Sequence, residues 1–167
     1  MQNELDWERK GYRVSGDVVD PDWVKGSEAF ETARAVLSFC QSMQTGICLD
    51  RRNLKPEHLG RLLPRTALVE VLEGGADYRW RIFGQAHEDI LGMSLKGRTL
   101  VERITENPTA AGLKAIFDAC LQRRAFQYFE QRYTNLFGVY KVAHGVVIPL
   151  TDGGADIRYL LGASDWH

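Results

Sequence analysis

The sequence predicts an α+β domain built on an antiparallel sheet of five strands. Three observations carry this prediction: helical periodicity precedes the first strand, glycine-rich turns separate short β-type runs, and a second helical segment interrupts the strands. Strands grouped on either side of a helical insert are typical of α+β folds. Strands alternating regularly with helices would instead indicate a parallel, doubly wound sheet.

The N-terminal part of the chain changes character at Ser27. Residues 1–27 mix charged, aromatic and turn-forming side chains without clear periodicity, so we read them as an N-terminal arm. Ser27 is a suitable N-cap, and the apolar residues after it recur at helical spacing, which predicts a helix over residues 28–44. The apolar stripe of this helix consists of Phe30, Ala33, Leu37 and Cys40.

The first two predicted strands form a hairpin. Residues 67–72 and 78–83 are rich in aliphatic and aromatic side chains, and they flank the pair Gly74-Gly75. A glycine pair between two such runs favours a tight turn, so the strands should pair antiparallel.

Alternation along the second strand divides its side chains between the two faces of the sheet. Tyr78, Trp80 and Ile82 should share one face, and Phe83 should lie on the other. Both faces therefore carry apolar surface and need cover. We expect the middle helices to cover one face, and the N-terminal helix or a second subunit to cover the other.

A helical insert separates this hairpin from the rest of the sheet. Residues 85–104 read as short helices broken at Gly92 and Gly97, and residues 108–124 read as a longer amphipathic helix beginning with Pro108. The remaining strands are predicted at residues 126–133, 139–150 and 157–163.

Composition excludes several classes of function. With 44% apolar and 26% charged residues, the chain is typical of a globular domain and too apolar for a disordered one. A net charge of −1 without a clustered basic patch predicts no nucleic-acid partner. The sequence has no apolar run near the roughly 20 residues that cross a bilayer and no apolar signal core, so we expect no membrane partner and a cytoplasmic location. The 3 widely spaced cysteines indicate neither a disulfide framework nor a zinc pair.

Several short motifs follow one another between residues 28 and 163. They are Pro56, Leu62-Leu63-Pro64, Trp80-Arg81-Ile82-Phe83-Gly84-Gln85, the set Gly92, Leu95, Gly97 and Arg98, Val147-Ile148-Pro149-Leu150, and Leu160-Leu161-Gly162. In this order they resemble the PAS superfamily, in which two strands, a cluster of short helices and three strands follow in turn. More narrowly, the chain is similar to a proteobacterial family of small, stand-alone PAS-like proteins. Gln85 differs from that family, in which a residue with a small hydroxyl side chain usually occupies this position.

The resemblance implies a sensory or protein-interaction module in bacterial signal transduction, without catalytic activity. We expect a PAS-like domain over residues 28–163, between the arm at 1–27 and a C-terminal tail at 164–167. The resemblance also implies a pocket between the sheet and the short helices, and a partner protein that receives the signal. We expect a homodimer through the stripe of the helix at 28–44, unless that stripe packs on its own sheet.

The cofactor stays unknown at this point, because PAS domains hold haem, flavin, small carboxylates or nothing. Haem-binding members place a histidine on the long helix, and residues 108–124 contain none. Photoreactive flavin members carry a cysteine in the short helices, and residues 85–105 contain none. A noncovalent flavin stays open. The sequence also lacks the GxSxG, HExxH and GxxxxGK[ST] motifs of common catalytic sites.

For a sensor, the pocket should be lined by the inward-facing strand residues and by the helices. Such a lining is mostly aromatic with a few polar tips, as suits a small, partly apolar ligand. A register shift of one residue would exchange every strand side chain in it for its neighbour. The predicted ligand-binding residues are Tyr78, Trp80, His87, Phe117, Tyr128, Tyr140 and His144.

Two alternatives remain open at the level of sequence. One is a small enzyme on a cone-shaped α+β fold, of the isomerase or dehydratase type, which needs an acidic residue and a tyrosine converging in an apolar pocket. The other is a purely structural dimerisation module with a filled core. Pocket volume depends on packing, so only a structure separates sensing from the second alternative.

Overall fold

The computed structural model describes residues 13–134 and 138–167, with side chains from Val18 onward apart from that of Thr109. Residues 1–12 of the predicted N-terminal arm lie outside the described residues. The strands of the described part are β1 (Arg13–Val19), β2 (Leu49–Asp50), β3 (Thr66–Leu72), β4 (Asp77–Phe83), β5 (Gln127–Thr134), β6 (Tyr140–Thr151) and β7 (Ile157–Trp166). Its α-helices are α1 (Pro21–Val24), α2 (Glu31–Met43), α3 (Pro56–Leu59), α4 (Gln85–Leu91), α5 (Leu100–Glu106) and α6 (Ala111–Arg123).

These strands form a single sheet in the order β1-β5-β6-β7-β3-β4. Every neighbouring pair on this path is antiparallel, and β2 adds a short parallel pairing to β6. The α+β class and the antiparallel sheet are therefore confirmed. The five predicted strands are β3 to β7, with the helices α4, α5 and α6 between β4 and β5, which is the order of a PAS-like fold.

The sheet also contains two strands that the sequence analysis did not predict. β1 pairs with β5 along its whole length, so residues 13–19 belong to the sheet and not to a loose arm. Gly16 and Asp17 are poor strand formers, and tertiary pairing with β5 overrides that local preference. β2 spans only two residues, which is too short to produce a periodic pattern. At the other end, β7 extends through Trp166 and takes in most of the predicted tail.

The predicted helices occupy their predicted places. A 3₁₀ turn at Glu28–Phe30 leads into α2, and a second one at Pro108–Ala110 leads into α6. α4 ends at Gly92, whose φ of 74° lies in the left-handed region that glycine adopts without a steric penalty. Among the described residues, every helix is too short or too polar to cross a bilayer.

Helices cover the sheet on both sides. We call one side the α2 face and the other side the α6 face. The strand residues of the α2 face that pack in the core with α2 include Tyr128, Val146, Ile148, Leu150 and Leu161. The strand residues of the α6 face that pack with α4, α5 and α6 include Val69, Tyr78, Trp80, Phe129, Val147 and Leu160.

The apolar stripe of the N-terminal helical segment packs on the chain's own sheet. Phe30 and Ala33 are fully buried there, and Leu37 and Cys40 belong to the same core. This is the alternative that the sequence left open. Burial of the stripe therefore requires no second subunit, so the sequence-based reason for expecting a homodimer no longer holds.

A β-bulge changes which side chains of β4 share a face. Leu68 pairs with Ile82 but Val69 pairs with Trp80, so Arg81 is an extra residue on β4. An extra residue reverses the alternation beyond it. Ile82 therefore packs on the α2 face and Phe83 on the α6 face. The predicted grouping of Ile82 with Trp80 is wrong for this reason.

Candidate ligand-binding site

A cavity of about 80 Å³ lies between the α6 face of the sheet and the helices. Its helical wall comes from α4, α5, α6 and the segments beside them: His87, Leu91, Leu95, Arg103, Ala110, Leu113 and Phe117. Its sheet wall is Ala67, Val69, Trp80, Phe83, Phe129, Gln131, Tyr133, Val147, Gly162, Ala163, Ser164 and Trp166. One ordered water needs a cavity volume of roughly 10–15 Å³, so this cavity has room for about six atoms of the size of a water molecule.

Small residues in the two central strands keep this space open. Gly162 pairs with Val147 and contributes no side chain to the floor. A Cβ added to Gly162 would have one neighbour within 4 Å beyond its adjacent residues, the carbonyl oxygen of Ala67 at 3.7 Å. Gly145 differs, because a Cβ there would lie 2.5 Å from Cζ of Phe129, whose ring covers that position. Space therefore remains above Gly162 and not above Gly145.

The polar groups of the wall gather toward one end of the cavity. Gln131 pairs with Ala143, and Ala143 pairs in turn with Trp166, so the side chains of Gln131 and Trp166 flank a small residue. Tyr133 lies two residues further along β5 and meets Trp166 edge-on, with ring centroids 6.2 Å apart. β3 begins opposite Ala163 and does not extend to this end. The sheet wall toward β3 and β4 is apolar and consists of Ala67, Val69, Trp80 and Phe83.

His87 is held as a neutral ring in the cavity wall. The indole Nε1–H of Trp166 donates a hydrogen bond to Nδ1 of His87 at 2.9 Å, which leaves the proton on Nε2. The ring is 6% exposed. Burial lowers the pKa of His87 to about 4, although the carbonyl of Arg65 acts in the opposite direction. Nε2 has no partner that meets hydrogen-bond geometry.

Arg103 supplies positive charge to the wall. It is 4% exposed, and its Nη1 lies 3.9 Å from Oε2 of Glu106. Glu106 is also paired with Arg98. Arg103 has further partners in the structure, so its burial is compensated within the protein. Among the described residues that line the cavity, none is an aspartate or a glutamate. No cluster of three metal-binding side chains occurs in the described part of the chain.

The structure brings three of the seven predicted ligand-binding residues to the cavity. Trp80, His87 and Phe117 line it. Tyr78 is fully buried on the same face beside Phe117, and its hydroxyl donates a hydrogen bond to Asp118 at 2.6 Å. Tyr78 therefore supports the wall from behind. A ligand-binding role for the three lining residues stays a prediction.

The other three predicted residues lie elsewhere, and their expected placement is corrected. The rings of Tyr128 and His144 pack against Phe30 on the α2 face, at centroid distances of 5.8 and 5.1 Å. Tyr140 is 56% exposed at the start of β6. The physical reason is strand parity: the predicted register assigned the even-numbered residues of β5 and β6 to the helices, and the odd-numbered ones face them.

The sequence analysis missed the polar end of the site. Phe129, Gln131 and Tyr133 are the odd-numbered residues of β5, which face the cavity. The sequence does not distinguish them from the even-numbered residues of the strand, because Tyr128 and Phe129 are both aromatic. Trp166 and Ser164 fell in the predicted tail. One signal was available: Gly162 lies within a predicted strand, and a glycine in a strand interior often marks open space or a close approach.

A second recess of about 390 Å³ lies beside the C-terminal end of α2 and is larger than the cavity. Its wall includes Gln44, Gly46 and Ile47, and Ile47 is 80% exposed. Part of the wall of this recess is therefore exposed to solvent. The smaller cavity is the better candidate site because apolar walls and converging polar groups surround it.

Known proteins show only low similarity to this chain. No family model matches the chain, and no curated protein matches it. Solved structures similar to it include the PAS domain of a protein from Colwellia psychrerythraea, with 16% identity and a TM-score of 0.40 over 60% of this chain and 84% of that chain. An RNA-binding light-oxygen-voltage receptor is similar over 92% of this chain and 38% of that chain, with 10% identity and a TM-score of 0.42. Neither likeness extends to a function.

Proposed function

We propose that this chain is a non-catalytic PAS-type module whose small-molecule site is the cavity on the α6 face. One observation carries the proposal: apolar walls, a floor opened by Gly162 and a polar end occur together in one buried space. A purely structural module would instead fill this space with side chains, because protein interiors are closely packed.

The enzyme alternative finds less support in the site. An isomerase or dehydratase of the cone-fold type needs an acidic residue beside a tyrosine in an apolar pocket. Tyr133 lines the cavity, but the described lining contains no carboxylate. His87 is neutral, and its Nδ1 is occupied by Trp166. A homodimer, a signalling-protein partner and a cytoplasmic location also remain proposals, and light scattering tests the first of them.

The proposal is tested by a thermal-shift screen of metabolites on the wild type and on two glycine variants. A ligand present at 100 times its dissociation constant adds about 2.7 kcal/mol of stability, which raises Tm by roughly 5–10 °C at this size. Gly162→Val fills the cavity and should abolish the shift. Gly154→Val is the matched control, since a Cβ at Gly154 meets nothing within 4 Å in a surface turn.

Two results would contradict the proposal. One is a screen in which every compound leaves Tm of the wild type unchanged. The other is a ligand whose shift survives in Gly162→Val, because such a ligand binds outside the cavity. A shift lost in Gly162→Val and kept in Gly154→Val supports it.

A further inference from the structure

We propose that the cavity binds a neutral aromatic molecule of a single ring that carries a hydroxyl group. The ring lies among the aromatic side chains of the wall, and the hydroxyl lies at the polar end. This inference rests on the proposed function, since it names the class of molecule that the same site would hold. Four features support it: a continuous belt of aromatic rings, two neutral hydrogen-bonding side chains, the state of the other polar groups, and the size of the space.

The first feature is the aromatic content of the wall. Seven of the 19 described residues that line the cavity have aromatic rings. Six of these rings form a belt in which each centroid lies 5.5 to 6.4 Å from the next, and four of the five neighbouring pairs meet edge to face. In order, the belt consists of Phe117, Trp80, Phe83, His87, Trp166 and Tyr133.

Such a belt favours an aromatic ligand over an aliphatic one of the same size. The face of an aromatic ring is negative and its edge is positive, so a flat ring inside the belt can pair its edge with one neighbour and its face with another. A saturated ring gains only the burial of its surface. Each favourable ring pair is worth about twofold to tenfold in affinity beyond that burial.

The second feature is a pair of neutral polar side chains in the wall. Gln131 and Ser164 stand on either side of β6, where their pairing partners are the small residues Ala143 and Gly145. Ser164 is 4% exposed, and neither side chain forms a hydrogen bond with another residue in the described part of the chain. Buried polar groups without partners are unfavourable. A ligand hydroxyl at this end can donate to the carbonyl of Gln131 or accept from the hydroxyl of Ser164.

The third feature is that the other polar groups of the wall are already satisfied or neutral. His87 is neutral, and its Nδ1 accepts a hydrogen bond from Trp166. Arg103 has partners of its own within the protein. The described lining contains no carboxylate that would balance a cation. A neutral ligand leaves these arrangements unchanged and avoids the cost of burying a further charge.

The fourth feature is size. The cavity of about 80 Å³ has room for about six atoms of the size of a water molecule. Bonded atoms lie closer together than separate water molecules do, so a six-membered ring with one hydroxyl group fits this space. A system of two fused rings exceeds it. The site therefore suits a phenol better than a larger aromatic compound.

A matched series of ligands tests the inference on the wild-type protein. Phenol and cyclohexanol carry the same hydroxyl on an aromatic and on a saturated ring of similar size. Phenol is neutral at pH 7, because phenolic groups have a pKa of about 10. NMR titration at this pH should show phenol binding about tenfold more tightly than cyclohexanol. 2-Naphthol, which adds a second ring, should bind more weakly than phenol.

The indole N–H signals in the same titration report where the ligand binds. Trp80 and Trp166 line the cavity, whereas Trp23 is 62% exposed and lies outside it. The ring current of bound phenol should shift the signals of Trp80 and Trp166 and leave that of Trp23 in place. A shift of the Trp23 signal alone would place the phenol on the surface and overturn the inference.

A double variant tests the polar end. Gln131→Leu with Ser164→Ala should lower the ratio of phenol to toluene affinity about tenfold, because toluene has no hydroxyl to lose a partner. Gln41→Leu with Ser42→Ala makes the same two changes at exposed positions of α2 and should leave the ratio as it is in the wild type. An unchanged ratio in the cavity variant overturns the hydroxyl.

A pair of phenylalanine variants tests the aromatic belt. Phe83→Leu removes the ring between Trp80 and His87 and keeps an apolar side chain, so the preference for phenol over cyclohexanol should fall about twofold to tenfold. Phe39→Leu removes a ring that packs on the α2 face and should leave the preference unchanged. Where a cavity variant fails to fold, the comparison of phenol with cyclohexanol on the wild type decides.

The outcomes separate this inference from the proposed function. Equal or tighter binding of cyclohexanol overturns the aromatic ligand and leaves a ligand-binding cavity. Absence of phenol binding also overturns it, and the metabolite screen then decides the proposed function by itself. Phenol binding that survives in Gly162→Val contradicts both, because the phenol would then sit outside the cavity.

Discussion

The two faces of the sheet are covered by helices in different ways, and the difference accounts for the candidate site. One face is covered mainly by the 13-residue helix α2, with smaller contributions from α1 and α3, and the stripe of α2 lies almost entirely out of solvent. Three helices, α4 and α5 of 7 residues each and α6 of 13, cover the other face over strands that carry small residues such as Ala143 and Gly162. One continuous helix can interdigitate closely with a sheet, whereas separate pieces joined by turns leave space between them. The difference teaches that close packing on the α2 face and open space on the α6 face follow from how each face is covered.

The largest expected effect is a difference in the cost of removing one phenylalanine from each face. Phe30 is fully buried on the α2 face and meets Tyr128 and His144 at close range. Phe30→Ala should lower the free energy of unfolding by about 3–5 kcal/mol. Phe117→Ala should cost less, near 2–3 kcal/mol, because Phe117 already borders empty space and loses fewer contacts. Urea unfolding measures both, and the reverse order would contradict the comparison.

The next effect is a pH dependence that belongs to the α6 face. Folding lowers the pKa of His87 from its ordinary value near 6.5 to about 4. The unfolded chain therefore binds the proton first as the pH falls, so His87 contributes stability above pH 6.5 that is lost between pH 6.5 and 4. The full loss is on the order of 3 kcal/mol.

Comparison of the wild type with His87→Gln isolates this contribution. The glutamine carbonyl can accept the hydrogen bond from Trp166 and does not titrate. Denaturant unfolding from pH 7.5 to 4.5 should show a steeper loss of stability in the wild type than in the variant. Parallel curves for the two proteins would show that His87 is not held neutral by burial.

The smallest effect concerns two glycines of the α6 face. Gly162→Val should raise the free energy of unfolding by about 1–2 kcal/mol without ligand, because the added carbons enter the cavity and valine suits a strand. Gly145→Val should lower it by about 1–3 kcal/mol, because its Cβ would collide with the ring of Phe129 and with the carbonyl of Ala163. Thermal unfolding compares the pair. Destabilisation of equal size at both positions would mean that no usable space exists above Gly162.

Local patterns predicted most of the PAS-like core of the fold. The positions of α2 and α6 follow from apolar residues at helical spacing, and the β3–β4 hairpin follows from the Gly74-Gly75 pair. Each of these signals is contained in a short stretch of chain, so no knowledge of distant contacts is needed. β1 is the counterexample: its residues have weak strand preference, and they form a strand because β5 offers an edge on which to pair.

The candidate site was predictable only in part. Trp80, His87 and Phe117 were placed correctly on the face covered by the middle helices, since local patterns locate β4 and these helices. Gln131 and Ser164 were not found, and neither was the extension of β7 through Trp166. Arg103 was not found either. It lies three residues after the buried Leu100 on a short helix, and a charged side chain on such a helix is expected to be exposed to solvent.

The sequence by itself determined the α+β class and the order of the main elements from α2 to β7, apart from the short strand β2. The tertiary structure alone decided the face to which each side chain of β5 and β6 points, the bulge that separates Ile82 from Trp80, and the existence of the cavity. The physical reason is the two-residue period of a strand. Adjacent aromatic residues such as Tyr128 and Phe129 are both compatible with burial, so only pairing with neighbouring strands selects one parity. Cavity volume is likewise a property of side chains brought together from distant parts of the chain.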